Sequence, residues 1–428
     1  MARVENSYTK LFTEKRQKEG IPMRVHEETL AHVRALVARL QAVPNGFYVS
    51  RLAGIHPEDI RTEEDFLSLP FTDKNDLRSA YPLGLAAVPP REIVRVHASS
   101  GTTGAPVVIP YTKKDIADWA DMMARSLAIA GVGPDDRLQI ATGFGMWTAG
   151  SGFQTGIERL GAMAIPAGPG NTARQLRFLI DMEATVLCAT ASYALQLGEE
   201  AQKRGLLDQL RLKKAIIGAE HWTQKTGEQI ANLLGVEIYD MYGLTEIYGP
   251  GTGVSCAEHD GMHMLDEMLL YEVIDPHTLR PVPDGETGEL VITTLFKEGA
   301  PLLRYRTHDL TRVVPGECPC GLRYPRLERI LGRTDDMVKY HGVNIFPGQI
   351  DELLRGVEGA NGEYQLHLRH ENQRDSALLR LESISDPGDI SARFRSLIGV
   401  SIDVEVVPLG SLPRSEKKTR RIFDFRGR

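Results

Sequence analysis

Between residues 115 and 240 the sequence repeats one alternation: a stretch of helical periodicity, a short apolar run, then a loop of Gly, Ser or Thr. The runs are Leu138-Gln139-Ile140, Ala162-Met163-Ala164-Ile165, Val186-Leu187-Cys188, Ala215-Ile216-Ile217 and Val236-Glu237-Ile238-Tyr239. Runs this short and this apolar suit strands covered on both faces, and the helical stretches between them are long enough to serve as crossovers. The pattern predicts an α/β fold on a largely parallel sheet. Residues 268–314 read differently: LLYEVID, GELVITTL and TRVV predict a more antiparallel section. Upstream, Leu30, Val33, Leu36, Val37 and Leu40 recur at helical spacing, so an amphipathic helix is predicted over 26–41. After Gly332 a compact α+β piece follows, in which Phe346-Pro347-Gly348 opens a helix with Ile350, Leu353, Leu354 and Val357 on one face. The expected division is a large N-terminal part, residues 1–331, and a small C-terminal part, residues 332–428.

Composition bounds the function. A chain of 428 residues with 42% hydrophobic content can bury a large core spread over two or three domains. A net charge of −7 argues against nucleic acid as a general partner. The opening MARVENSYTKLFTEKRQKEG is charged and lacks the apolar centre of a signal peptide, and no apolar run approaches the roughly 18 residues that span a bilayer. Four cysteines do not make a secreted disulfide framework. A soluble, cytoplasmic protein with no membrane partner is expected, and its amphipathic N-terminal segment is compatible with a homodimer.

The chemistry-bearing motifs lie at the ends of strand-like runs. After Ile93-Val94-Arg95-Val96-His97 comes Ser99-Ser100-Gly101-Thr102-Thr103-Gly104, a rim of hydroxyl and backbone donors suited to a polyphosphate. No Lys-Ser or Lys-Thr pair follows, so it is not a Walker loop. A second motif, Asp240-Met241-Tyr242-Gly243-Leu244-Thr245-Glu246, sits at a carboxyl edge of the sheet, where open α/β folds hold ligands. Tyr242 offers a flat face for a nucleobase, Gly243 close approach, Thr245 a hydroxyl, and Glu246 a hard carboxylate for Mg2+ beside phosphate. Gly218-Ala219-Glu220 ends another run and can add backbone groups to the same pocket. Asp309, in Tyr305-Arg306-Thr307-His308-Asp309, has acceptors for a ribose diol; Arg333, in Gly332-Arg333-Thr334-Asp335-Asp336, can pair with phosphate or ribose. The basic tail Arg414-Ser415-Glu416-Lys417-Lys418-Thr419-Arg420-Arg421 completes the set.

In this order and at these distances the motifs resemble the adenylate-forming superfamily of acyl-CoA synthetases, luciferases and peptide-synthetase adenylation domains. The nearest likeness is to its phenylacetate–CoA ligase branch, through His97-Ala98 with the run to Gly104, Gly218-Ala219-Glu220, Gly332 to Asp336, Gly342-Val343-Asn344-Ile345-Phe346-Pro347, and Leu69-Pro70-Phe71-Thr72-Asp73-Lys74-Asn75-Asp76-Leu77-Arg78. The resemblance covers residues 40–428. It implies a large adenylate-forming domain and a small mobile one, and a two-step reaction. A carboxylate attacks the α-phosphate of ATP, releasing pyrophosphate; the thiol of CoA then displaces AMP, with a carrier-protein thiol as the alternative acceptor, or no thiol and AMP transferred elsewhere. The same resemblance gives the residues roles. The 99–104 loop holds the β,γ-phosphates, Thr245 and Glu246 serve the α-phosphate and Mg2+, Glu220 and Tyr242 frame adenine, Asp309 takes the ribose, and Arg333 lies close by. Lys418 matches the lysine that bridges carboxylate and α-phosphate, although Lys417 stands where the family usually has glycine. Asp335 matches the hinge of the small domain.

Two further sets complete the reading. Cys256, Cys318 and Cys320, with His263 or, alternatively, His259, make a donor set for structural Zn2+, because Cys318-Pro319-Cys320 is a tight turn that aims two sulfurs at one point. Cys188 reads as core. Phe144, Gly145 and Trp147, continued by Gln154 and by Gly249-Pro250, are expected to line the acyl pocket; aromatic side chains among glycines suit a flat, apolar acid such as an arylacetate or benzoate.

Overall fold

The alternation read from the sequence is realised as parallel pairing. A computed structural model describes residues 26–99, 106–220, 222–335, 337–355, 357–371, 374–385, 387–413 and 421–426. In it the strand Arg137–Ile140 pairs in parallel with Met163–Ile165 and with Val186–Ala189, which pairs in turn with Lys214–Gly218. The helices Thr172–Asp181 and Ala191–Lys203 lie between these strands in sequence and Gln224–Leu234 follows the last; all three start on side-chain caps, from Asn171, Thr190 and Thr223. Leu176, Leu187, Leu195, Leu197, Ile217 and Ile230 belong to the core shared by these helices and strands.

By contact density the chain forms two units, each assembled from several stretches: Met1–Gly133, Phe144–Gly161 and Met241–Arg329 in one; Pro134–Gly143, Ala162–Asp240 and Ile330–Arg428 in the other. In the first unit the expected antiparallel section is present: Leu269–Ile274 pairs with Gly288–Thr294, and that strand with Tyr305–Thr311. The helix Glu27–Gln41 buries Leu30, Val33, Leu36, Val37 and Leu40 in a core with Tyr48, Leu52, Phe66 and Leu303. Its apolar stripe is therefore spent within the chain, which removes the reason for reading it as a subunit face. Arg304 is buried beside it, forked onto Glu272 (2.8 and 3.2 Å) and donating to the Leu69 carbonyl at 2.9 Å.

The strand that matters most for the site was not read from the sequence. Gly249–Ser255 pairs antiparallel with Met241–Leu244 and with Met262–Met264. Three glycines hide it from propensity arguments, and Trp119 explains the close packing around it: the indole donates to the Pro250 carbonyl at 3.0 Å. A Cβ on Gly152, in the helix Thr148–Leu160, would stand 2.4 Å from the same indole, so the helix needs glycine there.

In the second unit the C-terminal piece has its own core, running from Tyr340 to Ile402, under the antiparallel pair Ala360–Glu371 and Arg374–Ser383. Asp403–Val407 and Ile422–Asp424 extend that pair in parallel. The expected helix is Pro347–Arg355; Val357 lies past its end but is buried. Two buried carboxylates hold the residues flanking 414–420: Glu382 accepts from the Leu412 amide (2.8 Å) and Glu363 pairs with Arg421 (3.2 Å). Among the described residues no helix is long and apolar enough to cross a membrane.

Candidate active site

The hydroxyl-and-glycine run joins two antiparallel strands, Arg95–Ala98 and Val108–Tyr111. Of its residues, Ser100, Gly101, Thr102, Thr103 and Gly104 lie outside the described residues. Ser99, at its root, is buried; its amide donates to the Val107 carbonyl (2.9 Å) and its hydroxyl accepts from the Val107 amide (3.2 Å), closing the neck. The Ala98 amide donates to the Met146 carbonyl (2.8 Å), and His97 Nδ1 lies 3.3 Å from the same oxygen. That contact ties the run to the segment expected to line the acyl pocket. Burial pushes the His97 imidazole below its ordinary pKa, so it is neutral and can donate there.

Along that segment Phe144 is half-buried, Gly145 is exposed at positive φ (+78°), and Trp147 is the N-cap of the helix Thr148–Leu160 with 43% of its surface exposed. Thr148, the next residue, touches Thr245 hydroxyl to hydroxyl at 3.1 Å. Gln154 turns along its own helix to Glu158 (2.8 Å). Gly249 and Pro250 open the strand Gly249–Ser255.

Tyr242 and Gly243 stand on the strand Glu237–Leu244, and Thr245 to Tyr248 form the turn to the next strand. A Cβ on Gly243 would lie 1.9 Å from the Gly249 carbonyl oxygen, so no other residue fits where the two strands cross so closely. The Tyr242 hydroxyl donates to Asp309 Oδ2 at 2.7 Å, and both residues are buried. Two positions 67 residues apart, singled out in the sequence for base and sugar, are thus in contact. Glu246 is 3% exposed; its Oε1 accepts no hydrogen bond but is 3.3 Å from Lys74 Nζ. A buried carboxylate oxygen with a cation on one side and no donor satisfying it suits a hard divalent ion, so the residues fit Mg2+.

In the second unit, Gly218 ends the strand Lys214–Gly218 and Ala219 has positive φ (+68°). Glu220 Oε1 accepts from the Ser192 amide (2.6 Å) in the first turn of the helix Ala191–Lys203, where the helix dipole favours a carboxylate. Asp240 precedes Met241 on the strand Glu237–Leu244. Arg333 forks onto Asp335 (2.7 and 2.9 Å), so the arginine expected at the nucleotide and the aspartate expected at the hinge form one ion pair. Lys417 and Lys418 lie outside the described residues.

Cys256, His263, Cys318 and Cys320 form a single cluster, their donor atoms all within 4.8 Å of one another. Cys256 and Cys318 sulfurs are 3.7 Å apart, and Cys320 Sγ is 3.3 Å from His263 Nε2. These are thiols rather than disulfides. Bond lengths of about 2.3 Å to sulfur and 2.0–2.1 Å to nitrogen put tetrahedral edges near 3.5–3.8 Å, which the cluster approaches. His263, not His259, belongs to it. Burial, with Arg326 nearby, pushes the His263 imidazole down to about 4, so it presents a neutral ring.

Three residues were given no role by sequence reasoning: Lys74 and Lys297, which interact with Glu246, and Asp115, which holds the loop that carries Lys297. Lys297 is fully buried, and desolvation pushes its amine down to about 7. It belongs to a Lys-Glu-Gly-Ala-Pro stretch that reads as an ordinary surface loop. Only Lys74 carried a signal, standing in the Leu69–Arg78 stretch already noted.

A family model described as AMP-binding enzyme matches residues 31–295, and one described as AMP-binding enzyme C-terminal domain matches residues 342–426. The sequence is 41% identical over 389 residues to a phenylacetate-coenzyme A ligase of Escherichia coli, covering 87% of this chain and 88% of that one. It is 41% identical over 432 residues to one of Thermus thermophilus, covering 94% and 96%. Among solved structures, 2-hydroxyisobutyryl-CoA ligase in the postadenylation state with 2-HIB-AMP is similar at TM-score 0.84 and 30% identity, over 94% of this chain and 90% of that one.

Proposed function

The chain belongs to the AMP-binding enzyme family, in its phenylacetate–CoA ligase branch, and from that membership we propose that its acid substrate is aromatic, of arylacetate or benzoate type. The enzyme is an AMP-forming acid–CoA ligase that uses ATP and CoA. One observation carries the choice of acid: Trp147 presents an exposed indole immediately before Thr148, whose hydroxyl meets that of Thr245. A flat ring stacked there would place its carboxylate near the threonine assigned to the α-phosphate.

The chemistry brings two anions together, so the protein's task is to position them and offset charge. In the first half-reaction a carboxylate oxygen bonds to the α-phosphorus and the bond to pyrophosphate breaks. In the second the CoA sulfur bonds to the acyl carbon, AMP leaves with the electron pair, and the thiol proton passes to solvent. The run Ser99, Ser100, Gly101, Thr102, Thr103 and Gly104 binds the β,γ-phosphates. Thr245 donates to the α-phosphate, Glu220 and the Asp240–Gly243 stretch border the adenine, Asp309 accepts from the ribose, and Arg333 approaches the nucleotide when released from Asp335. Glu246 would hold Mg2+, which when bound neutralises charge developing on the phosphates. Lys418 bridges acid and α-phosphate. The C-terminal piece from about residue 332 swings about Asp335 between the half-reactions. Phe144, Gly145, Gln154, Gly249 and Pro250 complete the acyl wall.

Pyrophosphate release is measured with ATP and Mg2+ across aryl, arylacetic and short aliphatic acids, with and without CoA. The expected result is strong release with one aromatic acid, followed by AMP and thioester when CoA is added. Preference for a short aliphatic acid would overturn the aromatic assignment. Release that CoA leaves without a thioester product would direct attention to a carrier thiol.

Zn2+ is proposed for the cluster of Cys256, His263, Cys318 and Cys320. With four protein donors it is closed and structural, stapling the strand Met262–Met264 to the Cys318–Cys320 turn. Protein purified without chelator is expected to contain close to one zinc per chain by elemental analysis. Cys320→Ser is expected to lose most of it and to melt several degrees lower, equivalent to about 2 kcal/mol. Less than one zinc per several wild-type chains would refute the site.

A further inference from the structure

We propose that Lys297 is a positioning residue for adenylation, a buried strut that sets the turn bearing Thr245 and Glu246. The inference rests on the roles proposed above for those two residues. The Lys297 ammonium donates to the Ile247 carbonyl and lies over the faces of Tyr111 (4.3 Å) and Tyr248 (4.9 Å). A desolvated ammonium is unfavourable unless such partners receive it. A methionine would fill the same space between the two rings without that penalty. What the lysine adds is a directed bond to the turn.

The rest of the surroundings agree. The loop that carries Lys297 is fixed from three directions. Asp115, fully buried at the start of the helix Lys113–Ile129, accepts from the Glu298 and Gly299 amides (2.7 and 2.8 Å). The Thr112 hydroxyl donates to Glu298 Oε2 (2.8 Å), and Arg39 donates to the Lys297 carbonyl (2.7 Å). The turn is held a second time by the Tyr111 hydroxyl, which donates to the Tyr248 carbonyl (2.9 Å) with the Thr245 carbonyl at 3.3 Å. Thr245, Ile247 and Tyr248 thus have their carbonyls in the grip of Lys297 and Tyr111, leaving the Thr245 hydroxyl and Glu246 carboxylate to face other groups. A rigid backbone behind a phosphate and metal site keeps its donors at the geometry that the transition state requires.

Lys297→Met retains length and ring contact while removing the donor. Pyrophosphate release is followed against ATP, acid and Mg2+ for wild type, Lys297→Met, Glu246→Gln and the double variant, with a melting curve for each. Lys297→Met is expected to lower kcat about tenfold and to raise the Mg2+ needed for half-maximal rate about fivefold, with KM for the acid within about twofold. The double variant is expected to lose little beyond Glu246→Gln alone, since both act through one carboxylate. A lower melting temperature with kcat and Mg2+ requirement unchanged, or fully additive losses in the double variant, would overturn the proposal. Should Lys297→Met fail to fold, Tyr111→Phe keeps the stacking and removes the hydroxyl tether. It is expected to raise the Mg2+ requirement in the same direction, and a wild-type requirement overturns the proposal equally. Glu246→Gln with a wild-type Mg2+ requirement would refute the reading of Glu246 itself, which separates the two failures.

Discussion

Gly243→Ala is expected to lower pyrophosphate release by at least about 100-fold while the protein still folds. The added methyl would meet the Gly249 carbonyl oxygen at 1.9 Å and the Pro250 Cα at 2.6 Å, both backbone atoms that no rotamer change can move. The strands Glu237–Leu244 and Gly249–Ser255 must therefore part by more than an ångström, and the turn between them is the one that carries Thr245 and Glu246. Overpacking of this kind costs about 1–3 kcal/mol of stability, which a domain of this size survives. The loss is expected to fall on the rate because the displaced groups, Thr245 and Glu246, are the ones proposed to serve the reacting phosphate. Comparing urea midpoints with single-turnover pyrophosphate release separates the two effects. A variant that is destabilised yet releases pyrophosphate at the wild-type rate would contradict the placement of the site at this turn.

Lys418→Ala is expected to reduce adenylation by about 100- to 1,000-fold, the usual effect of removing one donor from a transition-state charge. Thioester formation from supplied acyl-adenylate and CoA is expected to continue, because that step has no pentavalent phosphate to stabilise. Lys417→Ala is expected to stay within about threefold of wild type. The reverse ranking would transfer the role to Lys417. On either side of the run that carries both lysines, the Leu412 amide is held by Glu382, and Arg421 by Glu363 against the ring of Tyr364.

Much of this was legible beforehand because the relevant signals are local. The parallel strands are short apolar runs, and their observed bounds lie within a residue or two of the expected ones except at Glu237–Leu244, which continues through Tyr242 and Gly243 into the motif. The cysteine cluster was readable because thiols are rare and a Cys-x-Cys turn converges by geometry alone, and packing then selected His263 over His259. What stayed hidden depends on contacts between distant positions. Lys297 reaches Ile247 across 50 residues, and Asp115 reaches Gly299 across 184. A lysine in a polar loop and an aspartate at a helix start have ordinary local explanations, and only burial reveals another. Gly249–Ser255 was invisible for the opposite reason. Its glycines lower strand propensity, yet they are there because Trp119 and Met123 press against the backbone.

On the roles proposed for these two residues, the bond between the Tyr242 phenol and the Asp309 carboxylate would make base and sugar recognition heritable as one trait. A substitution that replaces the Tyr242 ring also removes a donor from Asp309, so on those proposed roles its effects at the two ends of the nucleoside could not be selected separately.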